Sequence, residues 1–319
     1  MPQAGTLPEM MIAGLDGGGS QITCRIAAVT GEVLGEARAG GASLTHWRPE
    51  QVIEHLAQAM QGALHQAQRP QDAGQIAALC AGFASAGDLR RRSQYETMLR
   101  KLAPEARIML VTDAELALAG ALDGEPGIVV ISGTGSIAMG RNAQNQIARA
   151  GGNGPEQGDE GSGYWIGRQA VRRVIGAVQD TKSPTAFHAL ILAHWSKRDV
   201  HELVNWLQES HRNGIRVAYA GLVPLVAQAA QAGDAEARAI LTDAGRELAR
   251  LAQSVALELQ MPAPRVAGCG GVLQHAEAVA AALQTALAGA LPQARWTQPA
   301  GPPVAGAIRL ARQLMMQAE

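Results

Sequence analysis

The chain has 319 residues, a formal net charge of −1 and 17% charged side chains, so no basic surface for nucleic acid or acidic membrane is expected. Hydrophobic residues reach 47% with only 3% aromatics, which assigns the core to Ala, Val, Leu and Ile, in one large or two medium domains. No charge-free apolar run attains the length of about eighteen residues that a membrane span needs, since Leu116 to Met139 holds Asp123 and Glu125. Met1 to Pro8 lacks the basic region of a signal peptide. Cys24, Cys80 and Cys269 form no CxxC pair, so the expected compartment is a reducing cytoplasm without disulfide, zinc or iron–sulfur sites.

In chain order, Met10 to Leu15 is a short apolar strand ending on Asp16, and Gly17-Gly18-Gly19-Ser20 turns the chain into a second strand, Thr23 to Val29. Thr30-Gly31-Glu32 turns it again into a third, Val33 to Ala39. Glu50 to Gln68 is helical, with Val52, Ile53, Leu56, Met60 and Leu64 on one face. Strand Ile76 to Phe83, helix Leu89 to Leu102, strand Arg107 to Thr112 and the Ala-rich helix Ala114 to Leu122 follow. The order then restarts with strands Ile128 to Ser132, Ile137 to Arg141 and Gln146 to Ala150 and a helix from Ser162 to Val178. Helical segments are predicted over Pro184 to Gln208, Val217 to Ala232 and Ala235 to Leu259, then strand Pro264 to Gly268, helix Gly271 to Leu291, strand Ala294 to Thr297 and helix Val304 to Met316. Strands joined by crossover helices predict an α/β fold, and two copies of one topology predict two domains facing across a cleft. Open α/β sheets bind ligands off the carboxyl ends of their strands, where Asp16, Asp113 and Gly133 to Ser136 fall.

Asp16-Gly-Gly-Gly-Ser20 and Gly133-Thr134-Gly135-Ser136 are glycine turns, each joining two adjacent strands. Backbone amides without side-chain bulk, with the Thr134 and Ser136 hydroxyls as further donors, suit a phosphate. Neither is a Walker A loop or a GxGxxG helix start. One such turn alone is a tight hairpin as readily as a phosphate site; a pair suits the β- and γ-phosphates of a nucleotide taken from two sides. Asp16, at a buried strand end, suits Mg²⁺ held through water. Asp113 precedes a helix, where it serves equally as a proton acceptor for an alcohol nucleophile or as an N-cap. Asp159, in Gly158-Asp-Glu-Gly-Ser-Gly163, reads as a ligand for substrate hydroxyls or metal-bound water, or as a helix-start carboxylate. Gly151-Gly152-Asn153-Gly154 is loop by composition, either linker or substrate loop. Gly268-Cys269-Gly270-Gly271 offers a slot for a flat base or a plain strand–helix junction, and His46-Trp47 a sugar-pocket rim or an exposed loop. His188, His194 and His201 read as a surface or interface stripe rather than a metal site.

Taken in order, Asp16 to Ser20, Thr112-Asp113-Ala114, Gly133 to Ser136, Gly158 to Ser162, Gly268 to Gly271 and the closing Pro303-Val-Ala-Gly-Ala-Ile resemble the N-acetylglucosamine kinase and glucosamine kinase group. That group is one of the BadF/BadG-type ATPases within the sugar kinase–heat-shock 70–actin superfamily. The resemblance implies duplicated ribonuclease H-like (actin-like ATPase) domains with a central cleft. The first would span 1–116 plus 303–319, and the second 117–302 with a helical insertion over 184–260. It implies ATP and Mg²⁺ as cofactors, with phosphate contacts from Asp16, Gly17, Gly18, Gly19, Ser20, Gln21, Thr23 and Gly133 to Ser136. Gly270 and Gly271 would meet adenosine, Asp113 would take the proton of a sugar 6-hydroxyl, and Thr45, His46, Gly151, Gly152 and Asp159 would touch the sugar. Gln21 stands where the group often has Ser or Thr, Thr45 where an Asn commonly binds the sugar, and loop 153–157 departs from both kinase branches. These departures bear on which sugar is taken.

The expected function is therefore an ATP-dependent kinase of an amino sugar, with a small-molecule partner, no nucleic acid, no membrane and a homodimer surface available on the helical segments. The alternatives are an activator-type ATPase coupled to a reductase and a non-catalytic sugar sensor. The first needs cluster-binding cysteines in an exposed loop; a DNA-reading form of the second needs a helix-turn-helix ahead of the strand that begins by residue 10.

Overall fold

The computed structural model describes residues 10–69, 75–179, 185–209 and 214–316, so the readings of Met1 to Pro8 and of a helix beginning at Pro184 fall outside it. In chain order the elements are β1 (Met11–Gly17), β2 (Gln21–Ala28), β3 (Val33–Gly40), α1 (Pro49–Gln66), β4 (Ile76–Phe83), α2 (Leu89–Leu102), β5 (Arg107–Val111) and α3 (Asp113–Ala121). β6 (Gly127–Ser132), β7 (Ser136–Arg141), β8 (Ile147–Gly151), α4 (Gly163–Gln179), α5 (Ala186–His194), α6 (Val200–Glu209), α7 (Ile215–Ala220), α8 (Val223–Gln231) and α9 (Ala235–Glu258) follow. β9 (Arg265–Cys269), α10 (Gly271–His275), α11 (Glu277–Ala290), β10 (Arg295–Thr297) and α12 (Pro303–Met316) complete the chain.

Two compact units result, one of residues 1–125 and 299–319, the other of 126–298. The expected boundary at 116/117 would cut α3, which is one uninterrupted helix, so the division comes after it. In the first unit the sheet order is β3-β2-β1-β4-β5, an antiparallel meander whose first strand also pairs in parallel with β4. In the second it is β10-β9-β6-β7-β8, the same plan: an antiparallel meander with β9 and β10 added in parallel beside its first strand. The duplicated α/β topology is thus present in the backbone pairing. Among the described residues no helix is long and apolar enough to cross a membrane.

Strand parity sets the first unit's core. Met11, Ala13 and Leu15 face α1 and α2 through Val52, Leu56, Met60, Tyr95 and Leu99, while Ile12 faces α3 and α12 through Leu116, Ala307 and Ile308. Asp16 has the parity of Ile12, so the strand carries it toward the face that α3 covers. α3 and α12 cross at backbone distance: a Cβ on Gly306 would lie 2.2 Å from Leu116 O and one on Gly120 2.5 Å from Pro302 O. The second unit packs its sheet on α9, with α4, α8 and α11 around it, through Ile128, Val130, Ala138, Leu241, Leu248 and Val255.

Several expected helices are shorter than predicted. The segment to Gln208 breaks between α5 and α6, where Ser196 adopts φ +53°. Val217 to Ala232 breaks at Gly221-Leu222, and Pro224, which cannot donate an amide, sits in the first turn of α8. Gly271 to Leu291 breaks at Ala276, whose φ −111° and ψ 79° lie outside the helical region. His188 is not part of a surface stripe. It is buried, its Nδ1 accepts from the Thr185 amide at 3.1 Å and its Nε2 meets Glu236 at 3.0 Å.

The α3–α12 crossing generates a test. Gly306→Ala forces two helix backbones apart and should destabilise the protein by about 1–3 kcal/mol, read as a lower Tm in a thermal scan. An unchanged Tm would contradict the close crossing.

Candidate active site

In the first unit, register aligns Asp16 of β1 with Gly82 of β4 and Val111 of β5 with the same Gly82. Gly82 lets the start of α3 pack directly on the strand between them, because a Cβ there would lie 2.4 Å from Leu116 and 3.0 Å from Thr112 O. Asp113 opens α3 two residues beyond Val111. It is not the N-cap: Thr112 holds that place, accepting from Glu115 N at 3.3 Å, while Glu115 Oε2 accepts from Thr112 N at 2.7 Å. The competing capping role for Asp113 is therefore filled by its neighbour. Asp113 Oδ1 accepts from the adjacent Ala114 amide at 2.9 Å. Burial pushes its carboxyl above the ordinary range, offset in part by the Ala114 amide and its own and aided by nearby Glu115. Burial, and secondarily the Asp113 carboxylate, raise Asp16 from 3.8 to about 6. Two carboxylates thus share one strand-end neighbourhood.

The turn after β1 is built by its neighbours. Gly17 is required because a Cβ would lie 2.2 Å from the Phe83 ring. Gly18 N donates to Gln21 O at 2.9 Å, closing the turn. Its carbonyls are tied from behind: Gly18 O accepts from Ala42 N at 2.9 Å and Gly19 O from the Trp47 indole Nε1 at 2.8 Å. The segment 41–47 that does this is anchored by Tyr95, fully buried, whose hydroxyl donates to Ala42 O at 2.7 Å and accepts from Leu44 N at 3.1 Å. Thr45 and His46 lie exposed on that segment; Ser43 Oγ accepts from Thr45 N and lies 3.3 Å from His46 Nδ1. Ser20 and Gln21 are exposed beside Gly19, and Thr23 pairs with Asp16 across β1 and β2.

In the second unit, the turn between β6 and β7 follows the same rule. Gly133 O accepts from Gly163 N at 2.8 Å, Thr134 O from Tyr164 N at 3.3 Å and Gly135 O from Gly133 N at 2.9 Å. With carbonyls engaged, the amides of a glycine turn exposed at Thr134 and half-buried at Gly133 and Gly135 are what a ligand meets, which is the makeup of an anion cradle. The expectation for Ser136 needs correction. Its hydroxyl donates to Glu160 O at 2.7 Å, its amide to Asp159 Oδ1 at 3.1 Å, and the residue is buried, so it builds the turn and is not a free hydroxyl donor. Asp159 is buried at φ +65°, and its second oxygen accepts from Arg216 Nη2 at 2.6 Å.

The remaining motif glycines of this unit gather at the same strand end. Gly152 N donates to Ser136 O at 2.9 Å, and Gly151 and Gly152 hold φ of +77° and +69°. Gly270, at φ +95°, packs so closely that a Cβ would lie 2.4 Å from Ser132 O, and Gly271 beside it has open space. Thus 133–136, 151–152, 158–163 and 270–271 form one cluster in the second unit, while Asp16 to Thr23, Thr45, His46 and Asp113 belong to the first. Sequence reasoning missed Tyr95 and Arg216, which lie in no motif, and missed that Trp47 donates to the turn.

The donor set fits a polyphosphate with a hydrated Mg²⁺. Among the described residues no three His, Cys, Asp or Glu side chains cluster as a metal cage, and Mg²⁺ needs only one or two carboxylates when it keeps its water.

The sequence matches the model of the BadF/BadG/BcrA/BcrD ATPase family over residues 13–308. An N-acetylmuramic acid/N-acetylglucosamine kinase of Clostridium acetobutylicum is 33% identical over 267 residues, 83% of this chain and 86% of its own length. A glucosamine kinase of Vibrio cholerae is 30% identical over 197 residues, 60% of this chain and 64% of its own. A crystal structure from Chromobacterium violaceum, assigned as an N-acetylglucosamine kinase, superposes with TM-score 0.77 at 28% identity, covering 95% of this chain and 99% of that one.

The raised Asp16 value has a consequence for stability. With the folded-state value at about 6 and the ordinary value at 3.8, an ionised Asp16 costs stability above about pH 6, and the cost fades as pH falls toward 4. Asp16→Asn should therefore stabilise the metal-free protein by about 1–3 kcal/mol at neutral pH, with the gain in Tm shrinking toward pH 4. A variant less stable than the parent at pH 7 would contradict this.

Proposed function

Since the chain belongs to the BadF/BadG/BcrA/BcrD ATPase family, we propose that it is an ATP-dependent amino-sugar kinase acting on the 6-hydroxyl of its substrate. The observation that carries the reading is the repeated glycine turn whose carbonyls are tied back by the protein. The kinase relatives support the substrate class, with N-acetylglucosamine foremost because the Clostridium kinase and the Chromobacterium structure both carry it in their names.

In this reading the amides of residues 19–20 and 134–135 take phosphate oxygens, and Gly270-Gly271 leaves room for the adenosine. Asp16 would hold Mg²⁺, and the ion would supply neutralisation of phosphate charge. Asp113 receives the proton of the sugar hydroxyl as its oxygen bonds to the γ-phosphorus and ADP leaves. A carboxyl raised above its ordinary range by burial is the better proton acceptor. Thr45, His46, Gly151 and Gly152 are proposed sugar contacts.

The activator reading is disfavoured by its own residues. Cys24 and Cys80 are buried inside β2 and β4, and burial pushes the Cys24 thiol up to about 12 and that of half-buried Cys269 to about 11. Such thiols are poor metal ligands, which must be thiolates.

ADP release measured over N-acetylglucosamine, N-acetylmuramic acid, glucosamine and glucose tests the activity; no sugar-stimulated release from any of them would end the reading. Asp113→Ala should lose about 10²–10⁴-fold in kcat while still binding ATP, and retained turnover would remove the base assignment. Trp47→Phe keeps the ring but frees the Gly19 carbonyl, so KM for ATP should rise about two- to tenfold with little change in Tm. An unchanged KM would detach that carbonyl's capture from nucleotide binding.

A further inference from the structure

A phosphate turn with a carboxylate against it faces repulsion, and the second turn has one. A Cβ placed on Gly135 would lie 2.7 Å from Asp159 Oδ1. The carboxylate is needed there, because Oδ1 accepts the Ser136 amide and fixes the end of the turn. Residues 133–136 contain no Lys or Arg to cancel it. The cancelling charge comes from α7: Arg216 Nη2 donates to Asp159 Oδ2 at 2.6 Å. The guanidinium also stands 6.0 Å over the ring of Tyr164, whose amide holds Thr134 O. The Arg216 side chain is 43% exposed, yet its Nε is buried without a hydrogen-bond partner among the described residues. The pair's charges cancel beside the turn, and donor capacity remains on the guanidinium after Asp159 is satisfied.

We propose that Arg216 is a positioning residue for nucleotide binding: it pins Asp159 against the Ser136 amide and cancels the carboxylate charge, so that the 133–136 turn accepts a polyanion. This rests on the reading of that turn as a phosphate site. Removing the guanidinium leaves a buried carboxylate uncompensated a few ångströms from the incoming phosphates, and at that separation a unit charge weakens anion binding by about ten- to a hundredfold. Neutralising Asp159 as well removes the repulsion, since Asn keeps an oxygen for the Ser136 amide.

The test is calorimetric titration of AMPPNP with Mg²⁺ into the full chain and into Arg216→Gln, Arg216→Lys and the double variant Asp159→Asn/Arg216→Gln, with Tm and sugar KM measured alongside. Arg216→Gln should bind about ten- to a hundredfold more weakly, with sugar KM within about twofold of the parent. Arg216→Lys should recover most of the loss, and the double variant should bind more tightly than Arg216→Gln. Should Arg216→Gln fail to fold, the lysine and double variants carry the comparison. Parent-like affinity in Arg216→Gln, or a double variant no tighter than the single, overturns the proposal. Failure of the parent itself to bind AMPPNP would instead remove the phosphate reading on which it rests.

Discussion

The structure depends on how its glycine turns dispose of their carbonyls. A peptide carries a donor and an acceptor on opposite sides, so a turn presents amides to a ligand only when something else takes its oxygens. Here the takers are an amide and an indole after β1, and helix-start amides after β6. Much of the surrounding sequence exists to hold those takers in place. Tyr95, buried and stacked on Phe83, braces the 41–47 segment. The Gly158–Gly163 loop braces the other turn through Asp159, Glu160, Gly161 and Gly163.

The repeated sheet supplies the rest. An antiparallel meander with parallel strands added beside its first strand brings that strand's carboxyl end next to the segments that follow its parallel neighbours. In the first unit this sets Asp16 near Asp113; in the second it sets Gly133 to Ser136 near Gly270. Parity decides which face each residue joins, and Asp16 falls on the side that α3 covers. The coupling between two carboxylates is thus a product of register, with Gly82 keeping the intervening strand bare.

Much of this was legible in the chain itself. An apolar run ending at Asp16 and an apolar β-branched run ending at Ser132 gave away the buried strands, and the glycine turns marked where they reverse. The family resemblance followed from motif order, and the family match over residues 13–308 agrees with it. What escaped was tertiary. Asp113 read equally as base or cap, and only the Thr112–Glu115 capping pair shows that the cap is already filled. Ser136 read as a free hydroxyl because nothing local reveals that Glu160 O accepts its hydrogen bond. Arg216 lies 57 residues from Asp159 and carries no periodicity or motif that pairs them. His188 looked like one of a surface series because helical spacing cannot show which neighbour, here Glu236, buries it.

The most direct measurement is a crystal structure of the protein with Mg²⁺ and AMPPNP. The account predicts phosphate oxygens within about 3 Å of amide nitrogens in both 19–20 and 134–135, with Gly18, Gly19, Gly133 and Thr134 carbonyls still held by their protein donors. Phosphates bound away from either turn, or turn carbonyls released to face the ligand, would contradict it.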